Sequence, residues 1–239
     1  KIAFPEKKDS ELKIILKKCY KHFGILISDF LRLPKINEKN ISSIVNFNDQ
    51  ARNMLSKNKS NIIMTGHFGN WEMFLPTLSY NGFRASGVAQ KQKNKSGENF
   101  FNWLRNFKNT TVITKKKSIE IINDILDKGD NLVLVSDQYA GKRGSIDTFF
   151  NTQTSTPKGA AIFSFKKKIP VFLVFIYLNE NSNYSLKSKQ IKIKTNKNSK
   201  KNYITEINQL FNNELEKIVR KYPEQYFWFH KRFDRKFYK

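Results

Sequence analysis

Between residues 61 and 178, short apolar runs suited to strands alternate with longer stretches whose apolar residues recur every three or four positions. The runs are residues 61–65, 84–89, 111–114, 131–136 and 170–178; the helical stretches between them are 70–80, 97–107, 118–128 and 157–168. This order predicts βαβ units, and so an α/β fold with a largely parallel central sheet flanked by helices. Residues 186–193 read as a further strand at a sheet edge, and residues 203–221 as a last helix with Ile204, Ile207, Leu210, Phe211, Leu215 and Ile218 on one face. Ahead of the alternation, Leu12, Ile15, Leu16, Tyr20, Phe23, Ile27 and Phe30 form a helical stripe over residues 10–33 that Pro34 ends, and a short helix covers 48–56. There is no internal repeat and no linker. The reading is one domain over residues 1–239, with a helical N-terminal part to about residue 58 and an α/β core from about residue 59.

The formal net charge of +24 calls for a polyanionic partner: nucleic acid, an anionic membrane or an acidic protein. Part of the surplus reflects a general abundance of Lys and Asn, as in the loop at 194–201. Cys19 is the lone cysteine, which rules out an intrachain disulfide and fits a reducing compartment. His22, His67 and His230 lie far apart in sequence, so neither zinc nor another metal is expected. The longest apolar run, residues 169–178, has the length of a buried strand and is too short to span a bilayer. The sequence begins at Lys1 rather than Met, so an N-terminal anchor could precede it.

The chemistry concentrates in Gly66-His67-Phe68-Gly69-Asn70-Trp71-Glu72. His67 follows an apolar run and precedes a helical one, which puts it at the carboxyl end of a strand, where open α/β sheets bind ligands. A lone histidine beside an apolar strand is often a hydrogen-bonded core residue, but two glycines and a glutamate around it favour a site. On one continuous helix the five-residue offset would turn Glu72 about 140° from His67, so the two meet only if His67 sits in a turn before the helix. Gly66 and Gly69 give that turn its freedom, and Asn70 suits its N-cap. Glu72 then orients the imidazole, and His67 serves as a general base. No Gly-x-Ser-x-Gly elbow supplies a nucleophile, so the base is expected to act directly on an acceptor hydroxyl.

This segment resembles the His-x4-Asp/Glu motif of glycerolipid acyltransferases and, in its Gly-His-Phe-Gly-Asn-Trp-Glu form, the late lipid A acyltransferases of lipopolysaccharide synthesis. Three further blocks are similar to that family in the same order: Phe4-Pro5-Glu6; Asp137-Gln138 with Gly141, Gly144, Phe149-Phe150 and residues 156–161; and Pro223-Glu224-Gln225-Tyr226-Phe227-Trp228-Phe229-His230-Lys231-Arg232-Phe233. The chain departs from the family where Ala89-Gln90-Lys91 replaces Tyr-Arg-Pro and where Asn151 replaces Gly, although Asn tolerates a positive φ. The resemblance implies an acyltransferase fold and transfer of a fatty acyl chain from an acyl carrier protein thioester to a hydroxyl on the acyl chains of a lipid A precursor. It further implies work at the cytoplasmic face of the bacterial inner membrane, with no tightly held cofactor.

By the same resemblance, Arg105 occupies the place of an arginine near the active site and Asp137 that of an acidic residue in the central block. Arg105 could bind a phosphate or, with backbone donors near Gly66, hold the oxyanion, or be a solvated helix residue; Asp137 could serve the site or cap a loop. Phe23, Ile27 and Phe30 could pack in the core, face lipid or line an acyl groove. Between Tyr226 and Lys239, aromatic and basic residues alternate in a manner suited to lipid headgroups, to single-stranded nucleic acid, or in part to closing the core. Without a nucleic-acid-binding signature, an acidic carrier protein, a phosphorylated glycolipid and an anionic membrane are the expected partners. An acyltransferase for another membrane lipid is the alternative within enzymes, and a basic nucleic-acid binder the alternative outside them.

Overall fold

A computed structural model describes residues 1–114, 118–194 and 199–238; half of the basic loop at 194–201, and Lys239, lie outside the described residues. In chain order the elements are α1 (Asp9–Arg32), α2 (Ile41–Ile44), β1 (Val45–Asn46), α3 (Asp49–Ser56), β2 (Ile62–Thr65), α4 (Phe74–Tyr80), β3 (Ala85–Ala89), α5 (Lys95–Leu104), β4 (Thr110–Thr114), α6 (Ser118–Asp127), β5 (Asn131–Val135), β6 (Ser145–Phe149), β7 (Thr152–Thr156), α7 (Gly159–Lys167), β8 (Val171–Leu178), β9 (Tyr184–Gln190) and α8 (Lys200–Lys221). The main sheet has seven strands in the order β1-β9-β8-β2-β5-β3-β4. From β8 to β4 every neighbour is parallel, and β9 turns back antiparallel on β8. The α/β architecture read from the alternation is thus the observed one.

Alternation along β2 sends Ile62 and Met64 to one face and Ile63 to the other. The first face is covered by α6, α7 and α8 through Ile122, Ala160, Phe211 and Leu215, the second by α3 and α4 through Leu55, Phe74 and Leu78. Strand β5 is inserted between β2 and β3, so the chain leaves β2 in one direction and returns beside it, which makes the β2/β5 carboxyl edge the switch point of the sheet.

Three features were not expected. The strand over 186–193 is β9, which is not an edge, because the two-residue β1 pairs outside it. The polar, Thr-rich segment 145–156 forms a separate hairpin, β6–β7, whose two-residue turn Phe150-Asn151 has both φ angles positive, at 50° and 54°. Asn151 therefore takes the left-handed conformation in which the family has glycine. Helix α1 forms as expected, but it buries Cys19, His22 and Leu26, while Leu16, Tyr20 and Ile27 of the anticipated stripe, joined by Leu31, stay exposed. No helix among the described residues is long and apolar enough to cross a membrane.

Leu215 is fully buried under the turn that carries His67, and a Cβ on Gly66 would lie 3.2 Å from it. Leu215→Ala is expected to cost about 2–5 kcal/mol of stability, read as a lowered denaturant midpoint with an unchanged m-value.

Candidate active site

His67 sits two residues beyond the end of β2, and Asp137 two beyond the end of β5. The register pairs Thr65 with Val135, so the parallel strands deliver the two side chains side by side. Asp137 accepts from His67 twice, through Oδ1 from ring Nδ1 at 2.7 Å and through Oδ2 from the backbone N–H at 2.9 Å. A carboxylate only accepts, so the ring proton lies on Nδ1 and Nε2 is left to act as a base. Burial opposes charge on His67, but the charge and hydrogen bond of Asp137, helped by the charge of Glu72, outweigh it and raise the pKa. Burial likewise opposes ionisation of Asp137; His67, Arg232 and the backbone hydrogen bond win and hold its pKa below the usual value.

The pairing expected between Glu72 and His67 is not formed. Glu72 lies in a 3-10 turn, Trp71–Met73, that leads into α4, and both its oxygens accept from Arg105: Oε2 from Nε at 2.9 Å and Oε1 from Nη2 at 2.7 Å. Arg105 caps the end of α5, and its guanidinium lies over Phe30 of α1 and Phe101 of α5, 5.1 and 5.3 Å from the ring centroids. The physical reason is fit: a planar fork beside a carboxylate, between two rings, takes both oxygens in parallel bonds that a single imidazole N–H cannot match. Glu72 acts on His67 only through space.

Gly69 supplies the turn. Its φ is +61°, and a Cβ there would fall 2.0 Å from the carbonyl oxygen of Ile176. Gly66 is needed for space instead, because a Cβ would press on Leu215 and on the Asp137 carboxyl carbon. Asn70 is buried but does not cap with its side chain, which donates to Tyr184 Oη at 3.0 Å; that phenol in turn donates to Asp29 of α1. His22 of α1 reaches the Gly69 carbonyl at 3.2 Å.

The C-terminal segment completes the wall. Phe68 and Tyr226 form an antiparallel bridge, with Gly69 N–H donating to Gln225 O at 2.8 Å and Phe227 N–H to His67 O at 2.9 Å. The Gln225 side chain clips to both backbone groups of Leu178 at the end of β8. Trp71, Phe227 and His230 surround the His67 ring, with centroids 4.9, 6.1 and 4.8 Å away. Tyr226, Arg232 and Phe233 are buried, so much of this aromatic and basic tail closes the core. Among the described residues, no group of three His, Cys, Asp or Glu side chains is placed to hold a metal ion.

A histidine base with a buried carboxylate orienter and an aromatic mouth, its ring hydrogen-bonded to no Ser, Thr or Cys side chain among the described residues, suits proton removal from a substrate hydroxyl. The sequence profile of the bacterial lipid A biosynthesis acyltransferases matches residues 1–235. The chain belongs to that family. It is therefore an acyltransferase of lipid A synthesis. No individually curated protein matches it.

Activity requires neutral His67, so kcat/KM is expected to rise with pH through a midpoint above the ordinary histidine value of about 6.5. In Asp137→Asn burial, the largest influence on the ring, is opposed only by the charge of Glu72; the midpoint falls below that value and the rate drops by roughly 10²–10⁴. Glu72 and Arg105, by contrast, are expected to show a coupling of about 1–3 kcal/mol in a double-mutant stability cycle with Glu72→Gln and Arg105→Gln, while Glu72→Gln moves the pH midpoint less than Asp137→Asn does.

Proposed function

We propose that the enzyme transfers a fatty acyl chain from an acyl carrier protein thioester to a hydroxyl on the acyl chains of a lipid A precursor, at the cytoplasmic face of the inner membrane and without a bound cofactor. The observation that carries this reading is the His67–Asp137 pair at the switch point, opening onto aromatic rings. His67 Nε2 takes the hydroxyl proton as the oxygen attacks the thioester carbonyl; the C–S bond then breaks and the thiolate recovers the proton from His67. Asp137 stabilises the imidazolium formed in between. Glu72 and Arg105 hold α1, α5 and the turn before α4 in register around the base.

The surface beside the mouth supports a membrane location. Leu16, Tyr20, Ile27 and Leu31 of α1, Phe100 and Trp103 of α5, and Phe229 are all exposed large apolar residues. The rings of Tyr20 and Phe229 lie 5.1 Å apart, Phe23 joins Phe229 to Phe227, and the apolar face so formed leads from outside to His67. Lys13, Lys17, Lys18 and Lys21 are exposed along the same helix. Apolar side chains flanked by lysines suit an anionic lipid surface, and the net charge of +24 suits an acidic carrier protein and a phosphorylated glycolipid.

The experiment is transfer of a radiolabelled acyl group from acyl carrier protein to purified lipid A precursor on anionic vesicles, paired with mass spectrometry of the host's lipid A with and without the enzyme. The reading expects one added acyl chain, a loss of roughly 10²–10⁴ in His67→Ala, and turnover that falls as salt rises. An unchanged acylation pattern, or transfer only to a different lipid, would contradict it.

A further inference from the structure

Acyl transfer needs a donor for the oxyanion that forms when the thioester is attacked, and the groups nearest the base are already engaged. Four successive backbone N–H groups of the catalytic turn donate within the protein: His67 to Asp137, Phe68 to Gly66 O, Gly69 to Gln225 O and Asn70 to Ile176 O. Arg105 is locked in its two bonds to Glu72 between two rings. Asp137 occupies the Nδ1 side of His67, so the reacting atoms lie on the Nε2 side.

His230 is half-buried beside His67, its ring 4.8 Å from that of His67 at an interplanar angle of 63°, and 4.6 Å from Phe227. Its Nε2 faces the side-chain nitrogen of Gln138 at 3.1 Å. Gln138 directly follows Asp137, and Tyr139 next to it donates to Asp234 at 2.8 Å, so the loop after β5 and the C-terminal segment are fastened together at this point. With the Gln138 amide donating to Nε2, the neutral ring carries its proton on Nδ1.

We propose that His230, oriented by Gln138, is a further catalytic residue: its Nδ1–H donates to the thioester carbonyl oxygen as that oxygen becomes negative. The proposal rests on the acyl-transfer reading of His67. The hydroxyl proton moves to His67 Nε2, the new C–O bond forms, and the carbonyl electron pair moves onto the oxygen held by His230. On collapse the C=O bond re-forms, the C–S bond breaks and the thiolate takes the proton back from His67. Burial, and then the charge of His67, lower the His230 pKa, which keeps this ring neutral while its neighbour becomes cationic.

The test uses the full-length enzyme in the transfer assay above, with wild-type turnover as the baseline that judges the acyl-transfer reading by itself. Removing one such donor should cost on the order of 100-fold in kcat, so His230→Ala and His230→Phe should both show that loss with little change in KM. Both should weaken binding of a hydrated trifluoromethyl ketone analogue of the acyl thioester by a similar factor, and leave binding of the thioether lacking the carbonyl unchanged. His230→Gln, which keeps an N–H donor, should recover at least part of kcat. Wild-type kcat in His230→Phe, a loss confined to KM, or a full loss in Trp71→Phe with none in His230→Ala would overturn the proposal.

Discussion

The in-register pairing of two parallel strands is what the rest of the molecule depends on. Because Thr65 of β2 stands opposite Val135 of β5, the next two residues of each strand arrive at one edge together, and His67 meets Asp137 there, given the space that Gly66 leaves between them. The sheet supplies this rigidity cheaply: both strands are central, and their side chains are buried from both faces by helices. Asp137 is one of the few ionised groups taken wholly inside, and it tolerates that place because it accepts from two groups of His67 and feels the positive charge of Arg232.

Arg232 shows how the C-terminal segment serves the same end. It is fully buried, and its guanidinium bonds to Thr154, Ser155, Thr156 and Asn212, with Phe149 beneath it at 5.1 Å. Those partners are neutral, so the cation is solvated by hydroxyl, carbonyl and amide oxygens and keeps its field for Asp137 and for Asp147. A few residues earlier the segment bridges to Phe68, and one residue later Phe233 bridges to Thr154 of β7. The tail thus joins the hairpin, the catalytic turn and α8 into one body. Removing it would expose both the base and its orienter.

How much of this is readable in advance follows from the range of each interaction. The strand–helix alternation and the address of His67 depend on local pattern, and both appear in the structure as read. The partner of His67 does not, because 70 residues separate it from Asp137 and only the insertion of β5 beside β2 brings them together. Sequence proximity favoured Glu72, five residues away, whereas planar geometry gave Glu72 to Arg105. The stripe on α1 was informative only in part for a related reason: periodicity identifies an apolar face but not what covers it, and here Leu12 and Phe30 pack against the core beside the buried Cys19, His22 and Leu26, while Leu16, Tyr20 and Ile27 stay exposed. The β6–β7 hairpin escaped notice because its strands are polar, held by Thr and Ser side chains and by Asn208 of α8 rather than by apolar alternation.

Asp137, and not Glu72, fixes the proton of His67. Nitrogen-15 and proton NMR of the His67 ring tests it most directly. The expected result is a neutral tautomer protonated at Nδ1, with a downfield proton signal that persists in Glu72→Gln and disappears in Asp137→Asn. A ring protonated at Nε2, or a signal lost in Glu72→Gln and kept in Asp137→Asn, would contradict it.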